Sequence, residues 1–275
     1  MPVPDPAPQR PPLDDPLDVQ RLAGAGVEVV AQSPSTNALV ADRARAGAPE
    51  GLVVVTEHQT AGRGRLDRTW STPARSALTF SLLLRPRVAA EHWPWLPLLT
   101  GHAVGAALGA LGYPAGVKWP NDVLVEGRKL AGILVERVET PTGPAAVLGI
   151  GLNVRLPADL LPVPTATSLL VESQERGVDL PDRSTLLLAL LERLRASYDE
   201  WQGGGEAAAG RLRTAYADAC VTLGLDVRVE LPGADALEGG AVGIDRHGRL
   251  LVQPVGAGGA PVAVSAGDVV HVRVR

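Results

Sequence analysis

Residues 118–133 are the most distinctive part of the chain. They read Lys118-Trp119-Pro120-Asn121-Asp122-Val123 and, three residues later, Gly127-Arg128-Lys129-Leu130-Ala131-Gly132-Ile133. Their β-branched residues predict strands at Val117–Trp119, Val123–Val125 and Lys129–Val138, with a tight turn at Glu126-Gly127. The segment is therefore predicted to belong to a β-sheet.

Lys129 is the candidate catalytic residue of this segment. Alternation along the strand predicts that Lys129 lies on the same face as Ala131 and Ile133. A lysine that opens a strand of small residues can hold its ammonium over an anionic reaction centre. The structural alternative is a lysine at a strand end whose ammonium reaches solvent.

Lysine and asparagine are scarce, and their placement is informative. Of the 26 cationic side chains only Lys118 and Lys129 are lysines, and the three asparagines are Asn37, Asn121 and Asn153. A coding bias towards Arg, Ala, Gly and Pro explains the scarcity, but these five residues fall into three short segments, 35–37, 118–129 and 149–153. Arginine replaces lysine readily on a solvated surface but not where a compact ammonium is needed. These three segments are therefore predicted to contribute to a functional site.

The composition excludes several classes of protein. The chain has 275 residues, of which 45% are hydrophobic and 20% charged, as in an ordinary globular protein. A net charge of −4 argues against a dedicated nucleic-acid binder. Cys220 is the only cysteine, which excludes an internal disulfide and Cys-based zinc sites. No apolar run reaches the ~18 residues of a membrane span, and the N-terminus lacks signal-peptide features, so we expect a soluble, cytoplasmic protein.

The pattern along the chain predicts an α+β fold in two domains. Residues 1–16 are proline-rich and are predicted to be a disordered tail. Residues 17–221 combine predicted strands with helices, the clearest being Trp95–Leu111, Thr185–Trp201 and Glu206–Leu223. Residues 222–275 contain five short β-runs separated by Gly and Pro, which suggests a small barrel.

A glycine- and arginine-rich segment, Gly62-Arg63-Gly64-Arg65-Leu66-Asp67-Arg68-Thr69-Trp70, is the second candidate for chemistry. Glycines let the backbone approach a ligand, and guanidinium groups bind carboxylate or phosphate bidentately. The tryptophan offers a stacking face for a base. The structural alternative is a solvated arginine loop. A nucleic-acid site is less favoured because no basic surface extends the patch.

Other familiar motifs are missing. The segment 62–67 lacks the third glycine of a dinucleotide fingerprint, and neither lysine lies in a P-loop. The five histidines show no HExxH spacing, so we interpret them as surface or packing residues.

These segments together resemble biotin–protein ligase, also called biotin–[acetyl-CoA-carboxylase] ligase. The resemblance runs in order through Ser35-Thr36-Asn37, Gln59 with Gly62–Trp70, Lys118–Ile133 and Gly149-Ile150-Gly151-Leu152-Asn153. It covers the chain from about residue 17 to the end, since residues 240–271 are similar to the family's C-terminal SH3-like barrel. One departure is Asp67, which stands where the family often has glycine. The implied fold is a mixed-sheet catalytic domain packed with helices, plus that small barrel.

The resemblance implies a two-step ligation. The carboxylate of biotin attacks the α-phosphate of ATP to give biotinyl-5′-AMP and pyrophosphate, with Mg²⁺ accompanying ATP. A lysine of the biotin carboxyl carrier protein then attacks the anhydride and releases AMP. No enzyme nucleophile is required, so catalysis rests on positioning and on placed charge.

The resemblance also assigns residues. The implied catalytic residues are Lys129, Arg65 and Asp122, where Asp122 serves either the metal or the incoming lysine. The implied biotin-binding residues are Ser35, Thr36, Asn37, Gln59, Gly62, Arg63, Gly64, Arg65, Lys129, Gly132 and Gly151. The implied ATP or adenylate-binding residues are Arg65, Arg68, Trp70, Asn121, Lys129 and Asn153.

Three other functions share features with this sequence. A lipoate–protein ligase shares the fold and the adenylation chemistry, although the Gly-Arg-Gly-Arg loop and residues 118–122 favour biotin. Some biotin ligases are also DNA-binding repressors, but only 34 residues precede Ser35, which leaves no room for a helix-turn-helix domain. A non-catalytic biotin or nucleotide sensor remains open. We therefore expect biotin, ATP and the carrier protein as partners, with neither DNA nor a membrane.

Overall fold

The computed structural model describes residues 15–66, 68–231, 235–256, 259–265 and 267–271. Most of the predicted disordered tail and Asp67 lie outside these residues. The helices are α1 (Val19–Gly24), α2 (Thr36–Arg45), α3 (Trp95–Ala110), α4 (Leu169–Arg176), α5 (Arg183–Gly203) and α6 (Gly205–Ala219). None of the described helices has both the length and the apolar character needed to cross a membrane.

The strands form two main sheets and one small hairpin. In chain order they are β1 (Val27–Val30), β2 (Val53–Thr56), β3 (Gly62–Arg63), β4 (Thr69–Trp70), β5 (Ala77–Leu84), β6 (Ala115–Lys118), β7 (Asp122–Val125), β8 (Arg128–Thr140), β9 (Gly143–Asn153), β10 (Asp226–Glu230), β11 (Leu237–Ile244), β12 (Leu250–Pro254), β13 (Val262–Val264) and β14 (Asp268–His271).

The larger sheet has seven strands in the order β1-β2-β5-β9-β8-β7-β6. Only the β1–β2 pair is parallel, which makes the sheet mixed as expected. Successive residues of β5 face opposite sides, so Phe80 and Leu82 join the core with α3 and α5 while Leu83 packs on the other face with Val40 of α2. The sheet is therefore covered by helices on both faces. This confirms the predicted α+β class.

The smaller sheet has five antiparallel strands in the order β13-β12-β11-β10-β14. These are the five β-runs expected after residue 222, with bounds that differ by three residues or fewer at the described ends. Two indole N–H groups of the larger unit donate to carbonyls in the turn before β12. Trp119 Nε1 lies 2.9 Å from Gly248 O, and Trp95 Nε1 lies 2.9 Å from Arg246 O. One hydrophobic cluster, which includes Val227 and Leu250, continues across the boundary.

Two local expectations are wrong. The proline-containing segment before α5 is expected to be a loop, since proline favours turns, but it contains α4. Ser168 caps this helix by accepting from Val171 N, and the helix ends at Gly177 in a left-handed conformation. The helix expected to reach Leu223 ends at Ala219, because the chain then turns to pair with β6 through Val221 N and Val117 O at 2.9 Å.

The predicted orientation of Lys129 is also wrong. Ala131 and Ile133 join the core on the α3 side, whereas Lys129 lies on the opposite side, next to Gly132. The cause is a register shift between β7 and β8, where Val123 pairs with Ala131 but Leu124 pairs with Lys129. The extra residue reverses the alternation that the sequence pattern assumes.

Candidate active site

The face of the large sheet that packs on α2 is apolar under the helix, but small and polar beyond it, and a cavity lies over the small and polar part. Under α2 the face carries apolar side chains such as Val147 of β9 and Leu83 of β5. Further along the same face β9 has Gly149 and Gly151, while β5 has Ser81. Small and polar residues therefore replace the apolar layer and leave a concave polar floor.

The cavity above this floor has a volume of about 130 Å³. It collects almost all of the residues implied by the resemblance, although they come from segments that lie far apart in the sequence. Those in its wall are Ser35, Thr36, Asn37, Gln59, Arg63, Gly64, Arg65, Arg68, Trp70, Asn121, Asp122, Lys129, Gly132 and Gly151.

One end of the cavity is built around the first turn of α2. Ser35 caps the helix by accepting from Ala38 N at 3.3 Å. Thr36 N donates to Gln59 Oε1 at 2.9 Å, and all three polar side chains are buried. Gln59 is thereby fixed with its carbonyl on the helix start and its Nε2 against Gly62, where no side chain would fit.

Asn37 has most of its hydrogen-bonding capacity filled by the protein. Its Nδ2 donates to Glu136 Oε2 at 2.6 Å and to Leu134 O at 3.3 Å, while its Oδ1 accepts from Ser81 Oγ at 2.6 Å. A Cβ at Gly149 would overlap Asn37 Oδ1. Both amide hydrogens have acceptors, so Asn37 shapes the floor and can meet a ligand only through Oδ1.

The roof of the cavity is the hairpin of β3 and β4, in which Gly62 pairs with Trp70. Its three arginines each contact a different element: Arg63 bonds Glu136 of β8 at 3.0 Å, Arg65 bonds Asn121 Oδ1 at 3.2 Å, and Arg68 forms an ion pair with Asp268 of β14. Burial lowers the pKa of Arg65, and the hydrogen bond that Arg68 donates to Asp268 raises the pKa of Arg68. The hairpin thus brings three cations over the floor.

At the other end of the cavity lies an ion pair between Lys129 and Asp122. Lys129 Nζ and Asp122 Oδ1 are 2.6 Å apart, and β8 is anchored here by Lys129 N, which donates to Thr165 O at 2.7 Å. Lys118, at the end of neighbouring β6, has a pKa lowered by burial. The compact ammonium of Lys129 therefore faces the space between the floor and the roof.

Trp70 closes the cavity over its glycines. A Cβ at Gly151 would lie 2.6 Å from the indole ring, and one at Gly132 would lie 3.4 Å from both the ring and Lys129 Nζ. The buried Trp70 Nε1 has no acceptor among the described residues. Its N–H is available to a ligand.

Comparison with known proteins identifies the family. A model described as the biotin/lipoate A/B protein ligase family matches residues 28–153, and one described as the biotin protein ligase C terminal domain matches residues 222–272. The chain is 43% identical to biotin–[acetyl-CoA-carboxylase] ligase of Mycobacterium tuberculosis, over 96% of this chain and 97% of that protein. The chain belongs to the biotin protein ligase family.

Other biotin protein ligases support this placement. The bifunctional ligase/repressor BirA of Bacillus spizizenii is 34% identical over 80% of this chain, and the match spans 66% of that protein. The structure of biotin protein ligase from Aquifex aeolicus in complex with biotin and ATP gives a TM-score of 0.73 at 25% identity. It covers 90% of this chain and 99% of that one.

Two residues implied by the resemblance do not line the cavity of this biotin protein ligase. Gly62 belongs to the roof hairpin, but it packs against the Trp70 backbone and Gln59 and is not part of the cavity wall. Asn153 is buried and donates from Nδ2 to Thr167 O at 2.9 Å, which joins the end of β9 to the segment before α4. Neither contact reaches the cavity, so both residues support it from outside.

The sequence analysis of this ligase missed three polar residues at the site. Ser81 lies within a strand of apolar residues, and Glu136 and Asp268 are isolated acids in ordinary strands. Ser81 could have been singled out as a polar residue in a fully buried strand, since such residues need partners. The two acids carry no local signal, because their arginine partners lie 73 and 200 residues away.

Proposed function

We propose that this enzyme makes biotinyl-5′-AMP from biotin and ATP, and then transfers the biotinyl group to a lysine of the biotin carboxyl carrier protein of an acyl-CoA carboxylase. The observation that carries the proposal is the Lys129–Asp122 pair, set between a glycine floor and an arginine roof. The name of the Mycobacterium tuberculosis relative and the ligands of the Aquifex aeolicus structure support it.

In the first step a carboxylate oxygen of biotin attacks the α-phosphorus of ATP, and the bond to pyrophosphate breaks. Both reactants are anions, so the enzyme must offset their repulsion. Lys129 and Arg65 are assigned to this task, because their charges face the same space and are fixed before the reaction. Gln59 and Ser35 are assigned to the polar atoms of biotin, and Trp70 to the nucleotide.

In the second step the amine of the carrier lysine attacks the acyl carbon, and the bond to AMP breaks. The attacking amine loses a proton as the amide forms. Asp122 is assigned as the acceptor of that proton, and in the first step it holds Lys129 in place from 2.6 Å.

A magnesium ion accompanying ATP fits the carboxylates that line the cavity, Asp122 and Asp268. Carboxylate oxygens complement substrate phosphates as Mg²⁺ ligands, and proteins often supply only one or two of them. The ion would neutralise phosphate charge. No group of three His, Cys, Asp or Glu side chains within the described ranges is arranged to hold a metal.

Exchange of labelled pyrophosphate into ATP tests the proposal. We expect exchange with biotin and none with lipoate, followed by biotinylation of a purified carrier domain. Equal exchange with lipoate would show a lipoate ligase instead. Biotin binding without any exchange would show a sensor.

The remaining expectations concern partners and location. The net charge of −4 supports an enzyme that does not bind DNA, and a mobility-shift titration with duplex DNA checks this. We also propose a cytoplasmic location, which cell fractionation checks.

A further inference from the structure

Glu136 connects the roof of the cavity to its floor. It lies on β8, and its carboxylate accepts from Arg63 Nη2 at 3.0 Å and from Asn37 Nδ2 at 2.6 Å. Arg63 belongs to the hairpin, and Asn37 belongs to the first turn of α2. One carboxylate therefore joins three elements, the hairpin, α2 and β8.

The contact is more than a surface ion pair. Arg63 is 55% exposed and Glu136 is 31% exposed, and such a pair alone contributes little to stability. Asn37, however, is only 5% exposed, and its amide lies directly against Gly149 in the floor. A shift of the Glu136 carboxylate would disturb the floor through Asn37 and the roof through Arg63.

The contacts of Glu136 belong to one half of the cavity. The Arg63–Glu136–Asn37 connection lies beside Gln59 and the start of α2, the half that we assign to biotin. Arg65, Arg68, Lys129 and their partners Asn121, Asp122 and Asp268 form the half that we assign to the nucleotide and the reacting atoms.

We propose that Glu136 is a positioning residue for biotin. Its carboxylate sets the separation between the Arg63 roof and the Asn37 floor, and so fixes the width of the biotin half without touching the reacting atoms. The inference rests on the proposed function, since it requires that biotin occupies this half.

Glu136→Gln tests the proposal with little change of shape. Glutamine can still accept from Asn37, but it removes the charge that attracts Arg63. We expect the KM for biotin in pyrophosphate exchange to rise about five- to tenfold, while kcat and the KM for ATP stay within about twofold. Raising the ionic strength should increase the KM for biotin by a larger factor in the wild type than in the variant, because only the wild type has the Arg63–Glu136 ion pair to be screened.

Glu139→Gln is the matched control. Glu139 lies on the same strand and forms an ion pair with Arg137, away from the cavity. The same chemical change there should leave both KM values unaltered. Arg63→Gln should raise the KM for biotin as Glu136→Gln does, and the double variant should be no worse than either single one.

Two results would overturn the inference. One is an unchanged KM for biotin in Glu136→Gln, and the other is an equal rise of both KM values together with a lower melting temperature, which indicates a merely structural role. A wild type that shows no biotin-dependent exchange would instead overturn the proposed function, so the two failures are distinguishable.

Discussion

At the scale of single residues, the proposed chemistry depends on a compact charge at Lys129. Its ammonium nitrogen lies 2.6 Å from Asp122 Oδ1. A Cβ at Gly132 would lie 3.4 Å from this nitrogen and from the Trp70 ring, so the space around the ammonium is small. A planar guanidinium cannot occupy that space in the same geometry. Lys129→Arg should therefore lower pyrophosphate exchange at least ~100-fold, or about 3 kcal/mol, as expected for one preorganised charge contact.

The control for this variant is Arg137→Lys. Arg137 is exposed on the same strand, and replacing it with lysine should leave the rate of pyrophosphate exchange within about twofold of the wild type. Near-normal exchange by Lys129→Arg would show that Lys129 is only a lysine at a strand end.

The glycine floor gives a second prediction at this scale. In Gly149→Ala the new methyl group would overlap Asn37 Oδ1, which Ser81 and Glu136 hold in place. We expect the KM for biotin to rise about tenfold or more, because Asn37 must move into the cavity.

Gly109→Ala is the matched change for Gly149→Ala. Nothing lies within 4 Å of a Cβ at Gly109, which is inside α3. This variant should keep the KM for biotin and raise the free energy of unfolding by about 0.5–1 kcal/mol, measured by urea titration. Equal KM values for the two variants would contradict the close approach at Gly149.

At the scale of elements, we expect the hairpin of β3 and β4 to open when substrates enter. The cavity of about 130 Å³ is smaller than the roughly 300–1,000 Å³ of typical small-molecule sites. Short strands and the polar contacts of its arginines hold the hairpin over the floor. Trypsin should therefore cleave after Arg63, Arg65 or Arg68 in the protein alone, and much more slowly with biotin and ATP.

Mass spectrometry of the early fragments measures this difference. Arg45, exposed at the end of α2, provides an internal reference whose cleavage should not respond to the substrates. Cleavage of the hairpin at the same rate in both conditions would show that the substrates do not close it.

The elements also show what the sequence can and cannot predict. The strands predicted at Val123–Val125 and Lys129–Val138 lie within two residues of their observed bounds, because local composition decides them. The side of the sheet that Lys129 occupies depends on a register shift between two strands, which no local pattern reveals. The motifs indicated most of the cavity wall, whereas Glu136 and Asp268 owe their role to partners brought close only by folding.

At the scale of the whole molecule, the two β-units depend on buried indoles at their boundary. Trp119 is 2% exposed, and its N–H donates to Gly248 O of the smaller unit. Trp119→Phe removes this bond and leaves unfilled space, at a cost of about 2–4 kcal/mol. The melting temperature should fall by about 5–10 °C in differential scanning calorimetry.

Trp93→Phe is the matched control, because the hydrogen bond of Trp93 does not cross the boundary between the two units. Trp93 is only partly buried, and its indole bonds Val88 O within the same unit. Its melting temperature should fall by less than about 3 °C. Similar shifts in the two variants would indicate that the contact between the units adds nothing to stability.

The placement of the two lysines has a practical consequence for handling the protein. Besides the α-amino group, Lys118 and Lys129 are the chain's only primary amines, and both lie at or beside the cavity. The lowered pKa of Lys118 keeps more of its amine neutral, and therefore nucleophilic, at a given pH. Apart from the α-amino group, the amines that succinimidyl esters modify when they attach dyes or couple proteins to a sensor surface would thus lie at or beside the cavity, and bound substrates should protect these amines.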